Sequence, residues 1–169
     1  MTWLLVLGLA LIICFAGVLL VGAPYVPTLT PQVKAALELA DLRPGQTLLE
    51  LGCGDGKVLI AAARADLQVV GYELNPILAL IAWVRVRKYP HARVVWGDFW
   101  RAKWPSADGI FVFLHPRFMA RLDKKIVQEN TNFVKLVSFA FVVPGKKIVQ
   151  EKNGVYLYTY KGRPVTIKA

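Results

Sequence analysis

Charge is missing from the start of this sequence. No Asp, Glu, Lys or Arg precedes Lys34, so all 21 Lys+Arg, all 11 Asp+Glu and the formal net charge of +10 belong to residues 34–169. Cysteine is scarce: Cys14 lies in an apolar run and Cys53 in a glycine-rich turn, which excludes a disulfide-stapled scaffold, and nothing suggests an oxidising compartment. Histidine is limited to His91 and His115, no metal-ligand spacing exists, and no metal is expected. With 56 % apolar residues in 169, the chain is too hydrophobic for disorder and too short for a large multidomain enzyme.

What the uncharged head contains is a stretch from Trp3 to Ala23 interrupted only by Gly8, Gly17 and Gly22. As a helix it would be about 31 Å long, the thickness of a bilayer's hydrocarbon layer. Residues 1–23 are therefore expected to be a transmembrane anchor. A cleavable signal peptide is the rival, since Val21-Gly22-Ala23 has the small residues of a cleavage site; against it stand the missing basic n-region, the long apolar run and Pro24. A transit peptide would carry Arg, and the first 33 residues have none. All positive residues lie after the anchor, so the positive-inside bias predicts a single-pass membrane protein whose folded domain faces the cytoplasm.

Residues 24–46 read as a linker and upstream helix. Pro24, Pro27 and Pro31 stiffen it, with Thr30 as N-cap and Val33, Leu37 and Ala40 at helical spacing up to Pro44-Gly45. From residue 47 to 169, strands and helices alternate: Thr47–Leu51, Gln68–Tyr72, Arg93–Trp96, Gly109–Leu114 and Phe133–Val143 as strands, Lys57–Ala65, Pro76–Tyr89 and Arg117–Glu129 as helices. Asn153-Gly154 between Lys146–Lys152 and Val155–Tyr160 predicts a final hairpin. The fold class is α/β, a doubly wound, mostly parallel, Rossmann-like sheet. The hexapeptide Lys-Lys-Ile-Val-Gln-Glu occurs at Lys124 and again at Lys146, once in a helical and once in a strand context.

Leu48-Leu49-Glu50-Leu51-Gly52-Cys53-Gly54-Asp55-Gly56 carries the chemistry: a buried strand enters a glycine turn and then a helix, where open α/β sheets bind ligands. A dinucleotide fingerprint needs a glycine where Lys57 stands, and a Walker A loop needs Ser or Thr where Val58 stands. Instead, Glu50 leads the loop, Glu73 closes the next strand where a carboxylate can accept both ribose hydroxyls, and Asp98 follows the third strand where it can accept from an adenine amino group. Three acids at successive strand ends disfavour a pyrophosphate and suit a cationic adenosyl group; the cofactor inferred is S-adenosylmethionine. The bland alternatives are that Glu73 caps the following helix and that Asp98 only ends a strand.

Pro24-Tyr25-Val26-Pro27-Thr28, Leu49 to Val58, Gly71-Tyr72-Glu73-Leu74-Asn75-Pro76 and Gly97-Asp98 resemble class I methyltransferases of one small group. It holds membrane-anchored lysine methyltransferases of the ATP synthase c-subunit and of the adenine nucleotide translocase, with archaeal protein lysine methyltransferases. The resemblance covers about residues 24 to 143 and implies that Glu50, Gly52, Gly54, Glu73 and Asp98 contact the cofactor, with Tyr25 and Thr28 closing over it; Gly56 and Phe99 complete the cofactor-binding set. It departs at His115-Pro116, where the group has an apolar residue before proline. His115 is either a catalytic proton acceptor or a structural histidine. Phe99, Trp100, Phe113 and His115 are expected to form an apolar and aromatic collar around a lysine amine. The resemblance implies a protein substrate at a membrane; a lipid, quinone or other small-molecule substrate, and a non-catalytic cofactor-binding domain, are the alternatives. Arg85, Arg87, Lys88, Arg93, Arg101, Lys103, Lys124 and Lys125 are expected to face the membrane rather than nucleic acid.

Overall fold

The computed structural model describes residues 2–6, 8, 9, 27–130 and 132–162. Residues 2–6, 8 and 9 are helical, with Trp3, Leu4, Leu5 and Val6 exposed. Among the described residues no helix is long and apolar enough to cross a membrane; residues 10–26, which hold most of the expected anchor and Tyr25, lie outside them.

The elements run α1 (Thr30–Ala40), β1 (Thr47–Leu51), α2 (Lys57–Ala63), β2 (Gln68–Glu73), α3 (Pro76–Val86), β3 (Ala92–Trp96), β4 (Gly109–Val112), a 3-10 turn (Pro116–Phe118), α4 (Met119–Glu129), β5 (Val134–Phe139), β6 (Gln150–Lys152) and β7 (Val155–Tyr160). One seven-stranded sheet has the order β3-β2-β1-β4-β5-β7-β6. The first five strands are parallel, and β7 and β6 join antiparallel through Asn153-Gly154. Helices α1, α2 and α3 pack on one face through Val33, Ala36, Leu59, Ala62 and Ala82, while α4 covers the other through Met119, Leu122 and Ile126. Both faces being covered explains why β1 and β4 read as unbroken apolar runs.

Several boundaries differ from the sequence expectations, three of them for a clear local reason. The α1 helix starts one residue early, because the Gln32 and Val33 amides already donate to the Leu29 carbonyl, so Thr30 is its first residue and not its cap. Strand β5 ends at Phe139, not Val143: Ala140 takes φ +66°, and the Ser138 hydroxyl donates to the Phe141 carbonyl at 2.7 Å, turning the chain across the sheet edge. Of the expected strand Lys146–Lys152, only Gln150–Lys152 pairs with β7.

Asn75 caps α3 by accepting from the amides of Ile77 (2.9 Å) and Leu78 (3.3 Å), with Pro76 in the first turn, where no amide partner is needed. Gly71 in β2 is required by contact: a Cβ there would lie 2.7 Å from Leu59 Cδ1 and 2.8 Å from Cys53 Cβ. Strand β2 thus presses against the root of the glycine loop. Gly71→Ala is predicted to cost about 1–3 kcal/mol through overpacking, read as a lower urea midpoint at unchanged slope; an unchanged midpoint would mean the loop yields freely.

Candidate active site

Parallel pairing brings the carboxyl ends of β1 to β4 to one edge, with Glu50 beside Gly71 and Phe111, Leu51 beside Tyr72 and Val112, and Glu73 beside Trp96. Glu50, Gly52, Gly54, Gly56, Glu73, Asp98, Phe99 and His115 all fall at or just beyond this edge, as their sequence positions predict. Gly52, Gly54 and Gly56 have φ of +86°, +54° and +80°, conformations that a side chain resists. The amides of Gly52 and Cys53 both donate to the Tyr72 carbonyl at 2.9 Å, folding the loop back over β2. A Cβ on Gly56 would touch Ala82 at 3.2 Å, so α3 packs directly against the loop, whereas nothing lies within 4 Å of one on Gly52.

Glu73 has a double role. Its Oε2 accepts from the Gly54 amide at 2.7 Å and its Oε1 from the Asn75 amide at 2.8 Å, so the carboxylate ties the loop to the start of α3. Asn75 supplies the α3 cap itself. A carboxylate offers about four lone-pair sites, so two backbone donors leave acceptor capacity for hydroxyl groups. Asp98 is similar: Oδ1 accepts from the Trp100 amide at 2.8 Å and Oδ2 lies 3.7 Å from Arg101 Nε, while part of the side chain stays exposed. It both ends the strand and presents an oxygen.

Glu50 is the unusual member. It is 4 % exposed, and its Oε2 has no hydrogen-bond partner. Burial pushes its pKa well above the ordinary carboxylate value, and the negative charges of Asp55 and Glu73 push it further. Asp55 is itself paired with Arg85, whose guanidinium also donates to the Asp55 carbonyl at 2.9 Å. A buried carboxylate without a partner is costly, and a cationic group placed against it repays that cost. The acid set therefore fits a cationic cofactor, and among the described residues no cluster fits a metal.

Two aromatic groups flank the carboxyl end of β4. Phe113 packs on Phe139 (4.6 Å between centroids) and Phe141 (6.1 Å), with His115 6.3 Å from Phe141. Phe99 packs on Trp100 (4.7 Å), and Trp100 on Phe118 (6.1 Å). The expected collar residues are thus split between two groups, and Phe118, Phe139 and Phe141 join them from outside the expected set. The alternation of Phe139 and Phe141 at the end of β5 is the sequence signal for two of them. His115 is exposed, and its Nδ1 accepts from the Arg117 amide at 3.4 Å, capping the 3-10 turn. Thr28 is half-buried, and among the described hydrogen bonds none joins it to the acids. Lys125 leaves the expected basic surface: its ammonium turns inward to the Ala102 carbonyl (3.1 Å) and Glu129 (2.8 Å).

A family profile described as the ANTKMT methyltransferase domain matches residues 50–150. The chain belongs to that family. The ATP synthase C-subunit lysine N-methyltransferase of Xenopus laevis is 34 % identical over 124 residues, covering 72 % of this chain and 54 % of that protein. A protein-lysine N-methyltransferase of Saccharolobus islandicus is 31 % identical over 149 residues, covering 80 % and 92 %. An RNA methyltransferase from Salinibacter ruber, solved in complex with S-adenosyl-L-homocysteine, superposes with a TM-score of 0.73 at 26 % identity over 85 % of this chain and 97 % of that one. The chain spans about half the length of the ATP synthase relatives. The ANTKMT methyltransferase match begins at Glu50, the residue whose buried Oε2 lacks a hydrogen-bond partner.

Glu50→Gln separates stability from binding. A carboxyl whose pKa burial raises holds its proton to higher pH than the unfolded chain, which releases it above about pH 4.3, so native stability falls as pH rises from there toward the raised pKa. The Gln variant is predicted to be as stable as the parent near pH 4 and more stable at pH 8 in urea unfolding. Calorimetry with S-adenosylmethionine is predicted to show binding about 10–100-fold weaker, the loss of one charge-assisted contact. A variant less stable at pH 8 that binds like the parent would contradict this.

Proposed function

We propose that this chain is an S-adenosylmethionine-dependent methyltransferase that modifies lysine side chains of a membrane-associated protein, and that residues 1–23 anchor it in a bilayer with the catalytic domain in the cytoplasm. The observation that carries the reading is the buried Glu50 oxygen without a partner, beneath a glycine loop and beside Glu73. The names of the Xenopus and Saccharolobus relatives support lysine as the acceptor. The uncharged 33 residues before Lys34, with their bilayer-length apolar run, support the anchor.

The residues divide the work. Glu50, ionised, holds the cofactor's ammonium or sulfonium; Glu73 accepts from ribose hydroxyls while holding Gly54; Asp98 accepts from the adenine amine; Gly52 leaves room for close approach; Phe99 packs beside Asp98. Tyr25 and Thr28 close the site from upstream. When bound, the cofactor supplies a methyl group on a positively charged sulfur. A free lysine is well under one per cent neutral at pH 7, a barrier of about 4–5 kcal/mol, and a dry aromatic wall of Phe113, Phe139 and Phe141 lowers that cost by disfavouring the ammonium. Orientation supplies the rest, with effective molarity contributing about 7–11 kcal/mol. No strong base is needed, and the bond from the Arg117 amide supports a structural His115.

Phe141→Ala is predicted to lower kcat about tenfold or more with cofactor affinity within twofold, and to move the pH–rate profile toward higher pH as the amine becomes better hydrated. His115→Ala is predicted to leave the profile's shape unchanged; a lost acid limb would restore it as proton acceptor. The direct test of function is to incubate native membranes with methyl-labelled cofactor and the full chain. Label in protein lysine is expected, and label confined to lipid or RNA would overturn the substrate assignment.

A further inference from the structure

Helix α3 is apolar on its inner and outer faces, with Arg85 its one charged residue. Leu78, Ala79, Ala82 and Val86 face the sheet and are buried, but Leu80, Ile81, Trp83 and Val84 occupy the opposite face and are 59 %, 41 %, 53 % and 44 % exposed. An apolar stripe of this size on the outer side of a helix suits a covering partner. The charge around it is of one sign: residues 74–97 contain Arg85, Arg87, Lys88 and Arg93 and no Asp or Glu. Arg85 is held by Asp55, but among the described residues Arg87, Lys88 and Arg93 have no ion-pair partner within 4 Å. At the basic end an open groove of about 510 Å³ is lined by Trp83, Arg87, Tyr89, Pro90 and Arg93.

We propose that the outer face of α3 docks on an anionic lipid surface. Leu80, Ile81 and Val84 enter the boundary between headgroups and acyl chains, Trp83 and Tyr89 sit at headgroup level, and Arg87, Lys88 and Arg93 meet lipid phosphates. Charge complementarity selects this occupant: an acidic bilayer matches an apolar stripe ending in unpaired cations, whereas a second copy of the chain would set those cations against their own kind. The inference rests on the membrane reading proposed above and adds an orientation. Because α3 leads back from the carboxyl edge along the sheet, docking it flat turns the Glu50–Glu73 edge along the bilayer surface, where a lysine of a membrane protein lies within reach.

The test uses the full chain with Cys14→Ser, reconstituted in vesicles of phosphatidylcholine alone or with about one phosphatidylserine in three lipids. Cys53 is buried, with its thiol pushed well up, and stays unlabelled. A polarity-sensitive fluorophore is placed at Leu80→Cys and, as a control across the sheet, at Val127→Cys on α4. Flotation first establishes whether the chain is on the vesicles. Expected is a blue shift and an iodide quenching constant at least about threefold lower for the Leu80 label on anionic vesicles, reversed by Arg87→Glu with Lys88→Glu and by high salt, with the Val127 label unaffected. A chain that floats while its Leu80 label stays accessible overturns docking and leaves the anchor standing; a chain that does not float overturns both. Shielding that is equal on neutral vesicles, or that rises with protein density, also overturns the proposal in favour of the chain's own apolar segment or a second copy.

Discussion

The turn between β1 and α2 is held shut by a carboxylate from the neighbouring strand. Glu73 accepts from Gly54 on one side and Asn75 on the other, so a single side chain at the end of β2 fixes both the glycine loop and the entry to α3. The Tyr72 carbonyl adds two more bonds to the same loop. Gly71 beneath and Gly56 beside it let Cys53, Leu59 and Ala82 close around these contacts. A loop fixed in this way has little freedom to move away from the acid it covers, and Glu50 stays buried.

That burial is the electrostatic centre of the molecule. The domain carries a net charge of +10, yet basic side chains answer only some of the acids at the carboxyl edge. Asp55 has Arg85, Asp98 has Arg101, and Glu73 has backbone donors; Glu50 has one oxygen with nothing. An apolar residue would pack there at less cost, since a buried polar oxygen left without a hydrogen bond costs about 1–3 kcal/mol. The arrangement makes physical sense when a cationic ligand is counted as part of the site.

The order of strands and helices was legible because each segment's apolar period, caps and breakers agreed, as at Asn75-Pro76 and Asn153-Gly154. The hidden features were those set by tertiary contact. The hexapeptide Lys-Lys-Ile-Val-Gln-Glu is helical at Lys124, where Ile126 is fully buried and Lys125 bonds Glu129, yet at Lys146 it is mostly irregular and Ile148 is exposed. Six residues with one set of propensities took two forms according to what lay beneath them. The early end of β5 depends on Ser138 bonding forward to Phe141, which no period encodes. The three acids were readable because each sits at or near the carboxyl end of a parallel strand, Glu50 within β1, Glu73 closing β2 and Asp98 two residues past β3. That Glu73 would also hold the loop, and that Glu50 would lack a partner, depends on spatial neighbours.

The ionisation of Glu50 against a bound cation is the step on which the site depends. It is tested most directly by calorimetric titration of the full chain with S-adenosylmethionine at pH 6, in buffers of different ionisation enthalpy, where the ligand's α-ammonium is already charged. Binding is expected to release protons, because a carboxyl whose pKa burial raises gives up its proton to pair with the ligand, and Glu50→Gln is expected to abolish the release. Tight binding with no proton release, the same in parent and variant, would contradict it.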